Sequence, residues 1–130
     1  MARILVVDDD EPTRRLLDLI LLESGDHDVG HAASALEAVA AVEAGVPDLL
    51  ILDMRLPDMD GVTLFQRMRE AGYLGPVLAL TASSARDPLL EELRAEPDAP
   101  SILLKPFDVD ELAERVETLL RGKAATAGAG

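Results

Sequence analysis

The stretch Ile4–Asp10, with the sequence ILVVDDD, decides the fold because four apolar residues lead directly into three carboxylates. A short run in which every residue is apolar is typical of a strand that is buried on both faces of a parallel sheet. A second such run, Leu49–Leu52, leads into Asp53. Parallel strands bring their carboxyl ends to one edge of a sheet, where open α/β sheets bind ligands. We therefore expect Asp8, Asp9 and Asp53 to lie close together and to carry the function.

A lysine is expected at the same edge. Carboxylates that are gathered in one place repel one another, and protons, a metal ion or a cationic side chain must relieve that repulsion. Lys105 closes a third apolar run, Ile102–Leu104, and would reach the edge from the end of its own strand.

Five apolar runs alternate with five helical patterns along the chain. The predicted strands are residues 3–7, 27–32, 48–52, 76–80 and 101–104, and the predicted helices span 11–23, 34–44, 86–95 and the segments after Gly61 and Asp108. Strict alternation predicts an α/β fold, a doubly wound five-stranded parallel sheet of order 2-1-3-4-5 with five helices on both faces. We assign residues 1–121 to this domain and the Gly/Ala-rich residues 122–130 to a flexible tail or linker stub.

The second helix has a recognisable beginning. Ser34 followed by Glu37 forms a capping-box pattern, which is typical of a helix N-terminus. Leu36, Val39 and Ala40 are expected to be its buried side chains.

Composition limits the partners that the chain can have. The 130 residues carry a formal net charge of −13, which opposes binding to nucleic acid and to anionic membranes. No run is long enough for a membrane-spanning helix, and no signal peptide is expected. Cysteine is absent, which excludes disulfides and is compatible with a cytoplasmic location. The two histidines, His27 and His31, are interpreted as surface or edge-strand residues rather than ligands.

Four segments, in this order, resemble the receiver domain of two-component response regulators. They are Ile4–Asp10, Asp53–Gly61 (DMRLPDMDG), Leu80–Ala82 (LTA) and Lys105–Phe107 (KPF). The resemblance covers about residues 3–121 and implies a flavodoxin-like fold. It also implies a phosphorelay signalling domain that catalyses its own phosphorylation and dephosphorylation and is not a metabolic enzyme.

The resemblance assigns roles at the acidic edge. It implies that Asp53 is the phosphoacceptor, forming an aspartyl phosphate with a phosphoryl group from a sensor histidine kinase or phosphotransfer protein. The other implied roles are Mg²⁺ ligation by Asp8, Asp9, Asp53 and the backbone carbonyl of Arg55, a switch hydroxyl on Thr81, an ion pair through Lys105, and a cis peptide bond between Lys105 and Pro106.

The chain departs from the family pattern at Ile102 among other places, and two other functions stay open. Ile102 stands where the family has an aromatic residue that couples to the threonine, so the chain could be an interaction module with little phosphorylation-driven switching. A small phosphatase with Asp53 as nucleophile is the second alternative, although Arg55 replaces the second carboxylate that such enzymes have. The sequence also leaves open a downstream effector, an output domain in the same protein and a homodimer.

Overall fold

Strands and helices alternate along the chain as the sequence predicts. The computed structural model describes residues 2–25, 27–54, 56–81, 88–96, 99–105 and 107–129. The elements in chain order are β1 (Ala2–Val7), α1 (Glu11–Ser24), β2 (His27–Ala32), α2 (Ala35–Ala44), β3 (Leu49–Asp53), α3 (Gly61–Glu70), β4 (Val77–Thr81), α4 (Pro88–Arg94), β5 (Ser101–Leu104) and α5 (Val109–Ala129). All paired strands are parallel, in the order β2-β1-β3-β4-β5, which confirms the predicted fold class.

Alternate side chains of β1, β3 and β4 enter two separate apolar layers, one on each face of the sheet. The layer beneath α1 and α5 contains Ile4, Val6, Leu17, Ile20, Leu21, Leu49, Ile51, Leu78, Leu80, Leu103, Leu112 and Val116. The layer beneath α2, α3 and α4 includes Leu5, Val7, Ala35, Ala38, Val42, Leu50, Leu52, Leu64, Phe65, Met68, Val77, Ala79 and Leu93. Burial of the strands on both faces explains why their sequences are continuously apolar.

The buried face of α2 differs from the prediction. Ala35, Ala38 and Val42 are buried and Val39 packs partly buried against the same layer, whereas Leu36 is 69% exposed and Ala40 is exposed as well. Eight of the ten residues of this helix are Ala, Val or Leu, so the pattern does not single out one face. The small side chains allow the helix to lie close to the sheet, and the larger Leu36 points away from it.

Helix α5 is longer than predicted. It continues through the Gly/Ala-rich segment to Ala129, whereas the sequence analysis placed the end of the domain at residue 121. Alanine favours the helical conformation, and no proline interrupts the segment. The domain boundary and the mobility of this segment stay predictions. No helix in the described part of the chain is long and apolar enough to span a membrane.

The two histidines of β2 lie in different environments. His31 is on the exposed edge, as expected, and its Nε2 lies 2.9 Å from Asp18 Oδ1 of α1. His27 is also on this edge strand, as expected, but its side chain is only 8% exposed and lies beside Gly25, with Nε2 3.7 Å from Glu117 Oε1. His27 pairs with Ala2 at the amino end of β1, whereas His31 pairs with Val6 and directs its ring to Asp18 of α1.

Candidate metal centre

The parallel register brings the predicted site residues to one edge of the sheet. Strands β1 and β3 pair up to the residues that precede Asp8 and Asp53, so these two side chains leave neighbouring strand ends. Thr81 is the last residue of β4, and its main-chain oxygen accepts the N–H of Lys105 at 2.7 Å. The edge is therefore assembled from four strands, in the arrangement that the sequence predicts.

Three carboxylates meet at this edge. One oxygen from each of Asp8, Asp9 and Asp53 lies within 4.8 Å of the others, which is close enough for a single cation to contact all three. Asp8 is 2% exposed, Asp53 is half-buried and Asp9 is exposed. The group is thus anchored on the protein side and open on the solvent side, as a site for a small hydrated cation must be.

Asp8 is the electrostatically strained member of the group. Burial raises the pKa of its carboxyl, and the charges of Asp53 and Asp9 raise it further, whereas the N–H of Asp10 and the Lys105 ammonium lower it. Its Oδ1 accepts the Asp10 N–H at 2.9 Å. Its Oδ2 is buried, and no donor among the described residues is within hydrogen-bond distance. A buried carboxylate oxygen without a donor is costly, and a cation would compensate that cost.

Lys105 brings a cationic group to the edge. Its Nζ lies 3.9 Å from Asp8 Oδ2, and its side chain is 25% exposed. At this distance the two groups form an ion pair but no hydrogen bond. There is therefore space between the ammonium group and the Asp8 carboxylate. Thr81, which is 2% exposed, ends the neighbouring strand.

Arg14 is a site residue that the sequence analysis missed. Its Nη1 donates to the main-chain oxygen of Asp8 at 2.6 Å and so supports the turn between β1 and α1. A signal was present, because a basic side chain in the first turn of a helix is unfavourable towards the helix dipole and needs another partner.

The remaining acidic residues around the edge are helix caps. Asp10 is the N-cap of α1 and accepts the N–H of Thr13 at 3.1 Å, and its hydrogen bonds with Thr13 hold its pKa below the usual range. Asp60 caps α3 by accepting the N–H of Thr63 at 2.8 Å. Asp58 caps α2, a helix more than twenty residues before it in the sequence.

Two predicted features lie outside the described residues. They are Arg55, whose backbone carbonyl the resemblance adds to the metal ligands, and the peptide bond between Lys105 and Pro106. Both stay predictions.

Comparison with known proteins agrees with the motifs. The sequence profile of the response regulator receiver domain matches residues 4–117. The transcriptional regulatory protein PcoR of Escherichia coli is 39% identical over 93% of this chain and 52% of its own length. The virulence transcriptional regulatory protein PhoP of Salmonella typhimurium is 36% identical over 98% of this chain and 55% of its own length.

Solved structures show the same likeness in three dimensions. The chemotaxis protein CheY4 of Vibrio cholerae superimposes with a TM-score of 0.79 at 29% identity, covering 92% of this chain and 98% of that protein. A response regulator of Chloroflexus aurantiacus gives a TM-score of 0.77 at 36% identity, with the same coverage.

The matched region has a defined extent. The chain spans about half the length of the curated regulators that it matches, and nearly the whole of the receiver structures. The profile match covers all four motifs and every residue of the acidic edge. This chain therefore belongs to the receiver domain family of two-component response regulators.

Proposed function

We propose that this receiver domain accepts a phosphoryl group on Asp53, with Mg²⁺ bound, from the phosphohistidine of a sensor histidine kinase or phosphotransfer protein. The single observation that carries this proposal is the meeting of the Asp8, Asp9 and Asp53 carboxylates within 4.8 Å, beside the ammonium group of Lys105. A purely structural edge would gain nothing from three carboxylates that repel one another.

The donor set fits Mg²⁺. This ion prefers oxygen ligands, keeps several waters and is held by one or two carboxylates together with substrate phosphate rather than by a closed protein cage. Asp9 would bind it directly, Asp8 partly through water, and Asp53 and the Arg55 carbonyl would complete the protein ligands. When bound, Mg²⁺ would polarise the phosphoryl oxygens and neutralise their charge.

The residues of the edge supply what phosphoryl transfer requires, namely positioning and charge stabilisation. In this proposal a carboxylate oxygen of Asp53 attacks phosphorus, a P–O bond forms, and the P–N bond to the donor imidazole breaks with its electron pair returning to nitrogen. Three carboxylates, one divalent cation and the Lys105 ammonium are together formally neutral. Such a site can receive an anionic phosphoryl group.

Lys105 and Thr81 would respond to the new charge. The ammonium group lies 3.9 Å from Asp8 Oδ2, where it can pair with a phosphoryl oxygen. The Thr81 side chain ends the adjacent strand and can turn its hydroxyl towards the same group. Because its backbone is hydrogen-bonded to Lys105, both residues would move together at the edge.

The similar regulators suggest what the switch controls. PcoR and PhoP are named transcriptional regulators and are about twice as long as the matched region. We propose that phosphorylation changes the contacts of this domain with a downstream effector, either in the same protein or in another one. The domain itself is not expected to bind nucleic acid, since its formal net charge is −13.

An intact-mass experiment tests the phosphorylation step. Incubation with acetyl phosphate and Mg²⁺ is expected to add one phosphoryl group, and Asp53→Asn or a chelator should abolish the gain. Absence of the gain, both with acetyl phosphate and with a phosphorylated histidine kinase, contradicts the proposal. Turnover of a phosphate ester would favour the phosphatase alternative.

A second candidate function rests on Ile102. This side chain packs against the apolar layer beneath α2, α3 and α4, and its main-chain oxygen accepts Arg115 Nη1 of α5 at 3.0 Å. An isoleucine held in this way offers no ring to exchange between buried and exposed positions. The domain would then be an interaction module with little switching, and the phosphorylated protein would give the same amide NMR spectrum as the unmodified protein outside the acidic edge.

A further inference from the structure

The carboxylate of Asp58 joins the loop after Asp53 to a different part of the domain. Its Oδ1 accepts the N–H of Ala35 at 2.9 Å, and its Oδ2 accepts the N–H of Leu36 at 3.0 Å. These are the first two residues of α2, and they are 23 and 22 residues away from Asp58 in the sequence. Both carboxylate oxygens are therefore used for a tertiary contact.

The N-terminus of α2 divides its free N–H groups between two side chains. Ser34, the local N-cap, accepts the N–H of Glu37 at 3.2 Å. Asp58 takes the two N–H groups that Ser34 leaves. The hydrogen bonds from Ala35 and then Leu36 hold the pKa of Asp58 below its usual range, so this carboxylate is ionised at neutral pH and complements the positive end of the helix dipole.

The same loop is closed at its base beside Asp53. The N–H of Gly61 donates to the main-chain oxygen of Met54 at 2.7 Å, and a Cβ at residue 61 would lie 2.8 Å from the Met54 Cα. Glycine is required there because a larger residue would force the two ends of the loop apart. Leu56 and Met59 pack against the apolar layer, so the loop is held at its base and along its inner side.

We propose that Asp58 is a positioning residue for the metal. Its hydrogen bonds to α2 fix the tip of the loop that begins directly after Asp53. This inference rests on the proposed function. Mg²⁺ demands near-ideal octahedral geometry, and a loop that contributes a ligand must not vary in position by more than a fraction of an ångström. The base contacts hold one end of the loop, and Asp58 supplies the restraint at the other end.

The experiment compares Asp58→Ala with Ser34→Ala in the full chain. Isothermal titration calorimetry with Mg²⁺ alone is expected to give about tenfold weaker binding for Asp58→Ala, at the low end of the effect of residues that orient metal ligands. Asp58→Asn keeps one acceptor oxygen and should fall between Asp58→Ala and the unsubstituted protein. Ser34→Ala removes a cap from the same helix end without touching the loop and should bind Mg²⁺ normally.

Hydrogen exchange without metal provides the second readout. In Asp58→Ala, the amides of Ala35, Leu36 and residues 56–61 should exchange faster together, whereas Ser34→Ala should affect α2 alone. Unchanged Mg²⁺ affinity in Asp58→Ala, or an equal loss in Ser34→Ala, overturns the positioning role and leaves the proposed function intact. Failure of the unsubstituted protein to bind Mg²⁺ overturns the proposed function and this inference with it.

Discussion

Near the amino ends of β3 and β4, an arginine side chain lies beside carbonyl oxygens and an aromatic ring. At the carboxyl ends, a buried carboxylate lies beside other carboxylates. In the first region Arg69 Nη1 donates to the carbonyls of Tyr73 and Gly75 at 2.7 and 2.9 Å, and its guanidinium lies 4.7 Å from the Phe65 ring centre. In the second region the Asp8 carboxylate faces two other carboxylates and one lysine.

The first region stabilises the fold, and the second is the proposed functional site. Burial raises the pKa of Tyr73 above its usual range, so its hydroxyl stays protonated and donates to the Pro76 carbonyl at 2.7 Å. Both partners of this hydrogen bond therefore belong to the chain itself. At the acidic edge the buried Asp8 Oδ2 lacks a donor among the described residues, and the resulting strain is what a bound cation would relieve.

The largest expected loss of stability is in the region at the amino ends of β3 and β4. Phe65→Ala removes a fully buried ring and the surface on which Arg69 stacks, and it should lower the free energy of unfolding by about 3–5 kcal/mol. Urea denaturation measures this change. Leu74→Ala, at an exposed apolar residue of the same region, is the control and should change it by less than about 0.5 kcal/mol. Similar losses in both variants would show that burial does not distinguish these positions.

At the acidic edge, a substitution is expected to raise the free energy of unfolding rather than lower it. In metal-free protein, Asp8→Asn keeps an acceptor for the Asp10 N–H but removes a buried charge, and it should raise the free energy of unfolding by about 0.5–2 kcal/mol. The same substitution should abolish the stabilisation that Mg²⁺ gives to the unsubstituted protein.

The increase in the free energy of unfolding that Asp8→Asn produces should also depend on pH. Because the pKa of Asp8 is raised in the folded state, the native protein binds this proton more tightly than the unfolded chain does. The ionised carboxylate therefore lowers the free energy of unfolding by its full amount above the raised pKa. The penalty disappears as the pH falls through the raised pKa towards the ordinary value of 3.8, so the two proteins should converge in acid. Chemical denaturation at several pH values measures this, and a destabilised variant at neutral pH contradicts the comparison.

The smallest effect is expected for Tyr73→Phe. The substitution removes one hydrogen bond, but the Pro76 carbonyl still accepts the N–H of Leu50 at 3.2 Å, so the loss should be about 1 kcal/mol. Urea denaturation measures the loss, and phosphorylation by acetyl phosphate should be unchanged. A slower phosphorylation rate would mean that the two ends of the sheet are coupled.

Much of the fold and of the candidate site follows from local sequence. The apolar runs that end at Val7 and Leu52 are strands because nothing in them is compatible with an exposed face, and the carboxylates that follow them must share an edge in any parallel sheet. The caps formed by Asp10 and Asp60 are equally local, since each bonds to a residue three positions later. Features of this kind can be predicted from the sequence because they depend on neighbours in the chain.

Other features depend on how distant elements pack. Whether Leu36 or Ala35 of α2 is buried is decided by the sheet beneath the helix, since both are apolar and adjacent. The bond between Asp58 and the start of α2 joins residues more than twenty positions apart, and the contact of Arg14 with the Asp8 carbonyl depends on the angle between strand and helix.

The sequence by itself determined the element types and the gathering of Asp8, Asp9, Asp53 and Lys105 at one edge, because periodicity and strand ends are local properties. Only the tertiary structure decided how deeply Asp8 is buried, how far Lys105 stands from it and which helix Asp58 caps. Desolvation and hydrogen-bond geometry depend on distances between segments that are remote in sequence, and these distances are set when the layers pack.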